Sequence, residues 1–372
     1  MLNRLQHLQD AGVSIWLDDL SRELLDTGEF MRLVREMAIT GATSNPTIFA
    51  KAISSSDRYD PQLRQALDSG LSEPRELFFD LALEDVHRAA DALRAVYELS
   101  DGHDGFVSFE CTPDLADDAE ATVKQALEVQ GRLNVPNLLI KVAATDAGMT
   151  AIQELTAQGV SVNVTLLFSV QRYEQAIAAY WAGLERRTGA GKPIAELSSV
   201  ASFFVSRVDA MVDPWLVSES PLRGRIAIAN AQVAYARYLQ TLETPRWRRL
   251  AEQGARPQRP LWASTGTKDP EYSDVRYVEE LIAPDTISTI PMKTLLAYAD
   301  HGDVGSSLGS DGAGAQRLIV ELAEADVDLA AITHELERRG VESFRDSYRE
   351  LLACIEAKST ELRADAREPA HV

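Results

Sequence analysis

With 372 residues, 45% of them hydrophobic and 25% charged, the chain has globular composition, and no apolar run approaches the ~20 residues of a membrane-spanning helix. A formal net charge of −20 argues against nucleic acid and against anionic membrane as partners, yet leaves room for a local basic pocket that takes a small anion. Only two cysteines, Cys111 and Cys354, and an N-terminus without a continuous apolar segment point to the cytoplasm.

Short apolar runs of strand length alternate with longer stretches of helical periodicity, the pattern of repeated βα units around a parallel sheet. The first predicted strand, Ser14 to Asp18, is followed by an amphipathic helix with Leu24, Leu25, Met31, Leu33, Val34 and Met37 on its apolar face. The second, Gly41 to Asn45, ends at Pro46, and Tyr59 to Leu71 and Pro74 to Glu98 read as helices. Gly105 to Glu110 is the third strand, and Asp114 to Leu133 a helix with an acidic first turn, as the helix dipole favours. Asn137 to Lys141 is the fourth and leads to helix Asp146 to Ala157. Val160 to Phe168 is the fifth, after which Ser169 caps a helix reaching about Arg186. The sixth is Ser199 to Val205, with one or two helices in Asp209 to Leu242. A Pro- and Arg-rich stretch, Pro245 to Pro260, reads as a solvated loop before the seventh strand, Leu261 to Thr265. The eighth is Thr286 to Ile290, and a helical extension over about 291–363 and a frayed end from Ala364 to Val372 follow.

Eight strands alternating with helices predict a single (β/α)8 TIM-type barrel with additional helices, one domain across 1–372. No Gly-x-Gly-x-x-Gly follows the first strand, so a dinucleotide fold is disfavoured.

In such a barrel the site is assembled at the C-terminal ends of the strands from side chains on the inner face. A lysine ending the apolar run Asn137-Leu-Leu-Ile-Lys141 is costly to bury unless it has a use. Comparable polar residues end the other strands: Asp18, Thr43 and Asn45, Ser108 and Glu110, Asn163 and Thr165, Ser202, and Ser264. Any one of them alone would be a turn former or cap. Converging together, a lysine amine with carboxylates and no metal ligands suits carbonyl chemistry through a Schiff base, with Asp18 and Glu110 as acid and base and the amides and hydroxyls binding a polyol.

Four segments also carry a family resemblance: Gly41-Ala-Thr-Ser-Asn-Pro-Thr-Ile-Phe49, Asn137-Leu-Leu-Ile-Lys-Val-Ala-Ala-Thr145, Asn163-Val-Thr-Leu-Leu-Phe-Ser169 and Ser202-Phe-Phe-Val-Ser-Arg-Val208. From about Ile15 to Gly302 the chain resembles the transaldolases, which carry the Schiff-base lysine on the fourth strand, whereas most class I aldolases carry it on the sixth. The resemblance implies Lys141 as the Schiff-base residue and Asp18, not its neighbour Asp19, as acid/base at the C4 hydroxyl. It implies Glu110 with Thr165 for the catalytic water, Asn45, Asn163 and Ser202 for the dihydroxyacetone portion, and Arg207 for phosphate, with no cofactor and no metal. Thr43 and Ser264 join the substrate-binding set. After the seventh strand many members have Ser-Phe-Arg where this chain has Ser264-Thr-Gly-Thr-Lys268, so Lys268 is the candidate for the missing charge. Phe203 stands where a proline is frequent. Phe204 stands where related fructose 6-phosphate aldolases have a tyrosine, which favours transfer over release. Sugar phosphates are the expected partners, and the chain is expected to be a monomer or homodimer.

Competing readings are weaker. Arg207 could be a strand-end charge paired with Asp209. The glycine-rich stretch Gly305 to Gly314 lacks the Gly-Lys-Ser/Thr of a P-loop and reads as a flexible connection. The six histidines show no metal-ligand spacing. Cys111, beside Glu110, reads as a packing residue. A non-catalytic sugar-phosphate sensor is disfavoured by the joint presence of Asp18, Glu110 and Lys141.

Overall fold

In the computed structural model, which describes residues 2–305, 308 and 312–365, eight parallel strands close into a barrel in sequence order. They are β1 (Val13–Leu17), β2 (Ile39–Thr43), β3 (Val107–Glu110), β4 (Leu138–Ala143), β5 (Val162–Leu167), β6 (Ser199–Phe204), β7 (Gln258–Ala263) and β8 (Thr286–Ile290). The barrel closes where β1 pairs with β8 from Val13 opposite Thr286 to Leu17 opposite Ile290. Nearly every strand residue is buried, because the inner face packs into the barrel and the outer face under helices. The TIM-type fold expected from the alternation is the fold found.

Local chemistry explains the strand-to-helix turns above the barrel. Asn45 caps helix Pro46–Ser54, accepting from the Ile48 amide at 3.0 Å, with Pro46 in the first turn. Thr145 and Ser169 cap Asp146–Gln158 and Val170–Gly189 in the same way. At Gly41 a Cβ would lie 2.5 Å from the buried Trp16 ring, so only glycine lets β2 pass this side chain.

Several expectations need correction. A helix, Pro46–Ser54, follows β2 directly where the sequence reading places none, and the helices after it run Asp60–Asp68 and Pro74–Leu99. A 3-10 turn, Pro113–Leu115, precedes helix Ala119–Leu133 where one continuous helix was expected. The Pro- and Arg-rich stretch is no solvated loop: Pro245–Ala251 is helical, Trp247 stacks on Trp181 at 5.7 Å, and β7 already includes Pro260. Arg259 is 5% exposed and closes the lower end of the barrel, donating to the carbonyls of His103, Asp285 and Thr286 and to Ser14 Oγ. Its planar fork of donors suits the converging oxygens there, so apolarity was the wrong test for burial.

Beyond β8 come helices Met292–His301, Ala313–Glu324 and Leu329–Asp365. Part of the glycine-rich stretch, and residues 366–372 of the expected frayed end, lie outside the described residues. Among the described residues no helix is long and apolar enough to cross a membrane.

Candidate active site

Strand register sets the geometry. Glu110 on β3 pairs with Lys141 on β4, and Lys141 pairs with Asn163 on β5, so three polar residues stand side by side on neighbouring strands. Lys141 is 4% exposed and Glu110 7%. Lys141 Nζ lies 3.2 Å from Glu110 Oε2 and donates to the Ser44 carbonyl at 3.3 Å. Burial pushes the Glu110 carboxyl above the ordinary carboxylate range, opposed by the Lys141 charge. A carboxyl whose proton affinity is raised by burial and opposed by a neighbouring cation is suited to exchanging a proton with water.

Lys141 of this pair faces a pocket of about 130 Å³. Nine of the expected residues face it: Asp18, Thr43, Asn45, Lys141, Ser202, Phe204, Arg207, Ser264 and Lys268. Asp18 follows β1 directly and accepts from Thr43 Oγ1 at 2.9 Å, and its neighbour Asp19 does not line the pocket. Asn45 caps its helix and also faces the pocket, so the cap and the site readings hold together.

Asn163 and Thr165 sit behind this surface. Asn163 Nδ2 donates to Ser108 Oγ at 2.8 Å, and its Oδ1 accepts from Ser202 Oγ at 2.7 Å. It therefore aims Ser202 from below. Thr165 is fully buried, and its hydroxyl has no hydrogen-bond partner among the described residues. Between Val164 and Leu167 the pairing with β6 shifts register, and Leu166 adopts φ +61°, the left-handed region that a branched aliphatic residue rarely takes. This irregularity sits at Thr165, as strained backbone often does at functional sites.

Arg207 and Lys268 supply positive charge. Arg207 lies 5.1 Å over the Phe204 ring, and no carboxylate of the described residues forms an ion pair with it. Burial lowers its guanidinium from the ordinary value, with Asp18 and Glu110 opposing. Lys268, exposed at the rim, is lowered by desolvation and then by the Arg207 charge. Both cations feel the Asp18 carboxylate of the same pocket, but among the described residues neither forms an ion pair with an acid, an arrangement suited to an anion. Asp209 is not the partner of Arg207: it accepts from the Ala227 amide at 2.7 Å and from Tyr277 Oη at 2.9 Å, which ties the helix Ser206–Val212 to the segment after β7.

Burial raises the Asp209 carboxyl to about 6 from 3.8. Between those values the native chain binds more protons than the unfolded one, so this group makes stability fall as pH rises. Asp209→Asn keeps an acceptor for Ala227 and gives a donor to Tyr277. Relative to that variant, the parent should lose on the order of 3 kcal/mol between pH 4 and pH 7. Urea denaturation at the two pH values measures the gap, and a pH-independent gap would refute it.

Two contributors escaped sequence reasoning. Thr289 on β8 shares a 2.7 Å hydrogen bond with Thr43 and lines the pocket, and the alternation used for the other strands would have found it. Phe344 also lines the pocket but comes from helix Leu329–Asp365, long after the last strand, where no periodicity signals it. Cys111 behaves as expected: it is buried, and burial pushes its thiol up to about 12.

The chain matches the family model described as transaldolase/fructose-6-phosphate aldolase over residues 15–355. It is 48% identical to a transaldolase of Saccharopolyspora erythraea across 95% of this chain and 97% of that protein. It is 47% identical to a transaldolase of Frankia alni over the same shares. A Nostoc protein named transaldolase 2 is 40% identical over 96% of this chain and 98% of its own length.

Proposed function

This chain belongs to the transaldolase/fructose-6-phosphate aldolase family, and on that premise we propose that it is a transaldolase of the pentose phosphate pathway acting through a Schiff base on Lys141. The donor is sedoheptulose 7-phosphate or fructose 6-phosphate, and the acceptor an aldose phosphate such as glyceraldehyde 3-phosphate or erythrose 4-phosphate. The observation that carries this reading is a buried amine 3.2 Å from a buried carboxylate, the amine facing a pocket with a second carboxylate and two cations that form no ion pair among the described residues.

In this mechanism the Lys141 amine adds to the donor ketone, and Glu110, with the Thr165 hydroxyl, exchanges protons with the water that leaves. Asp18 takes the proton of the C4 hydroxyl, the C3–C4 bond breaks, and its electron pair flows into the iminium to give an enamine as the aldehyde departs. The enamine carbon attacks the acceptor aldehyde, whose oxygen recovers the proton from Asp18. Water then frees the product and Lys141. Ser202 and Asn45 hydrogen-bond the bound three-carbon unit. Arg207 and Lys268 hold the phosphate.

Hydrogen bonds to charged groups contribute roughly 1.5–3 kcal/mol, so Arg207→Ala should raise KM for fructose 6-phosphate by about 10- to 100-fold while kcat changes little. Steady-state kinetics on the variant checks this, and an unchanged KM would remove Arg207 from the phosphate site. The activity itself is tested by transfer from fructose 6-phosphate to erythrose 4-phosphate, with and without the acceptor. Rapid production of free dihydroxyacetone without acceptor would make the chain an aldolase instead. Phe204 lines the pocket, and the resemblance, in which related fructose 6-phosphate aldolases have a tyrosine there, supports the transfer reading.

A further inference from the structure

Phe344 reaches the catalytic pocket from a helix that belongs to no βα unit. It is 3% exposed, and its ring centroid lies 6.0 Å from Lys141 Nζ. Next to the substrate pocket is a second, smaller space of about 20 Å³, lined by Glu110, Val142 and Leu166 among others, which has room for about one water. Among the described residues, Phe344 is the one that faces both spaces. Its ring thus forms a wall for both the Glu110-lined space and the pocket that Lys141 faces.

The helix is fixed on several sides. Thr47 Oγ1 donates to Ser347 Oγ at 2.8 Å, Arg345 pairs with Asp117 at 2.6 Å, and Lys358 pairs with Asp60 at 2.9 Å. Tyr348 packs edge-on against Phe78. At Gly340 a Cβ would stand 3.0 Å from Leu166 Cδ2, so the glycine lets the helix settle onto the irregular end of β5.

We infer that Phe344 sets how the reaction intermediate divides between aldehyde and water, a role that rests on the Schiff-base reading above. The ring walls both the substrate pocket and the small space beside Glu110, which limits further water at the lysine adduct, so the enamine left after cleavage persists until an acceptor arrives. The competing path is hydrolysis. The enamine carbon takes a proton and restores the iminium, and water adds to the iminium carbon. The C–N bond then breaks with its electron pair returning to the lysine nitrogen, and dihydroxyacetone leaves. Removing the ring admits water to this path without touching the groups that cleave the donor.

The test compares acceptor-free dihydroxyacetone release with transfer to erythrose 4-phosphate in the full chain, in Phe344→Ala and in Phe344→Leu, with Lys358→Ala loosening the same helix at a distance. The ratio of release to transfer should rise at least ~10-fold in Phe344→Ala, by less than ~3-fold in Phe344→Leu, which keeps most of the apolar cover, and stay level in Lys358→Ala. An unmoved ratio in both Phe344 variants overturns the inference, as does an equal rise in Lys358→Ala. Borohydride trapping on the parent chain reads the underlying chemistry separately. A missing adduct there withdraws the Schiff base, whereas an adduct with an unmoved ratio withdraws only the role of Phe344.

Discussion

Replacing Lys141 with methionine should lower dihydroxyacetone transfer by at least ~10⁴-fold while leaving the barrel folded, because covalent catalysis has no substitute once its nucleophile is gone. Methionine keeps the apolar stem that packs along β4 and removes only the amine. The variant leaves Glu110 buried without its 3.2 Å partner, and breaking a buried ion pair is usually costly. Here the cost is moderated, since burial already raises the Glu110 carboxyl and the lost lysine charge was what opposed that rise. Glu110 can therefore take a proton and stay in place. Steady-state assays with thermal unfolding separate the two effects. Transfer within ~10-fold of the parent chain would place the chemistry elsewhere.

Asp18→Asn should lower transfer by ~10²–10⁴-fold, the range expected for loss of a general base, and yet leave imine formation intact. Asparagine retains an oxygen for the 2.9 Å bond from Thr43, so the pocket wall keeps its shape. What disappears is the group that takes the C4 hydroxyl proton. The variant should accumulate the donor imine, and borohydride with fructose 6-phosphate should label it as fully as the parent. If labelling fell in step with turnover, Asp18 would act on imine formation, and the division of roles between Asp18 and Glu110 would have to be reversed.

Much of this site is legible in the sequence because a barrel converts alternation along each strand into convergence in space. Lys141 at the end of an apolar run, with Asp18, Glu110 and Ser202 at equivalent positions on other strands, needs only the period of two and the closure of the sheet. Thr43 and Asn45 follow from the same argument, although Asn45 also does the work of a helix cap. Less visible is what lies one layer behind. The hydrogen bonds linking Ser108, Asn163 and Ser202 depend on side-chain directions that spacing leaves open. Arg259 is the plainest failure, since a basic Pro-rich stretch reads as solvated until the carbonyls that satisfy the guanidinium are known. The reading of Asp209 as partner of Arg207 failed because proximity in sequence says nothing about Tyr277 and the Ala227 amide, which reach that carboxylate from distant segments. Phe344 shows the remaining limit. Its position comes from tertiary docking of a helix whose own pattern is that of any amphipathic helix.

The lysine adduct can be observed directly. The parent chain, incubated with fructose 6-phosphate and reduced with borohydride, should lose activity irreversibly. It should also gain the mass of a reduced dihydroxyacetone unit on the peptide containing Lys141, and on no other lysine. An inactivated chain labelled elsewhere, or a chain that stays active and unlabelled under these conditions, would contradict the assignment of Lys141 as the residue on which the transferred carbon unit is carried.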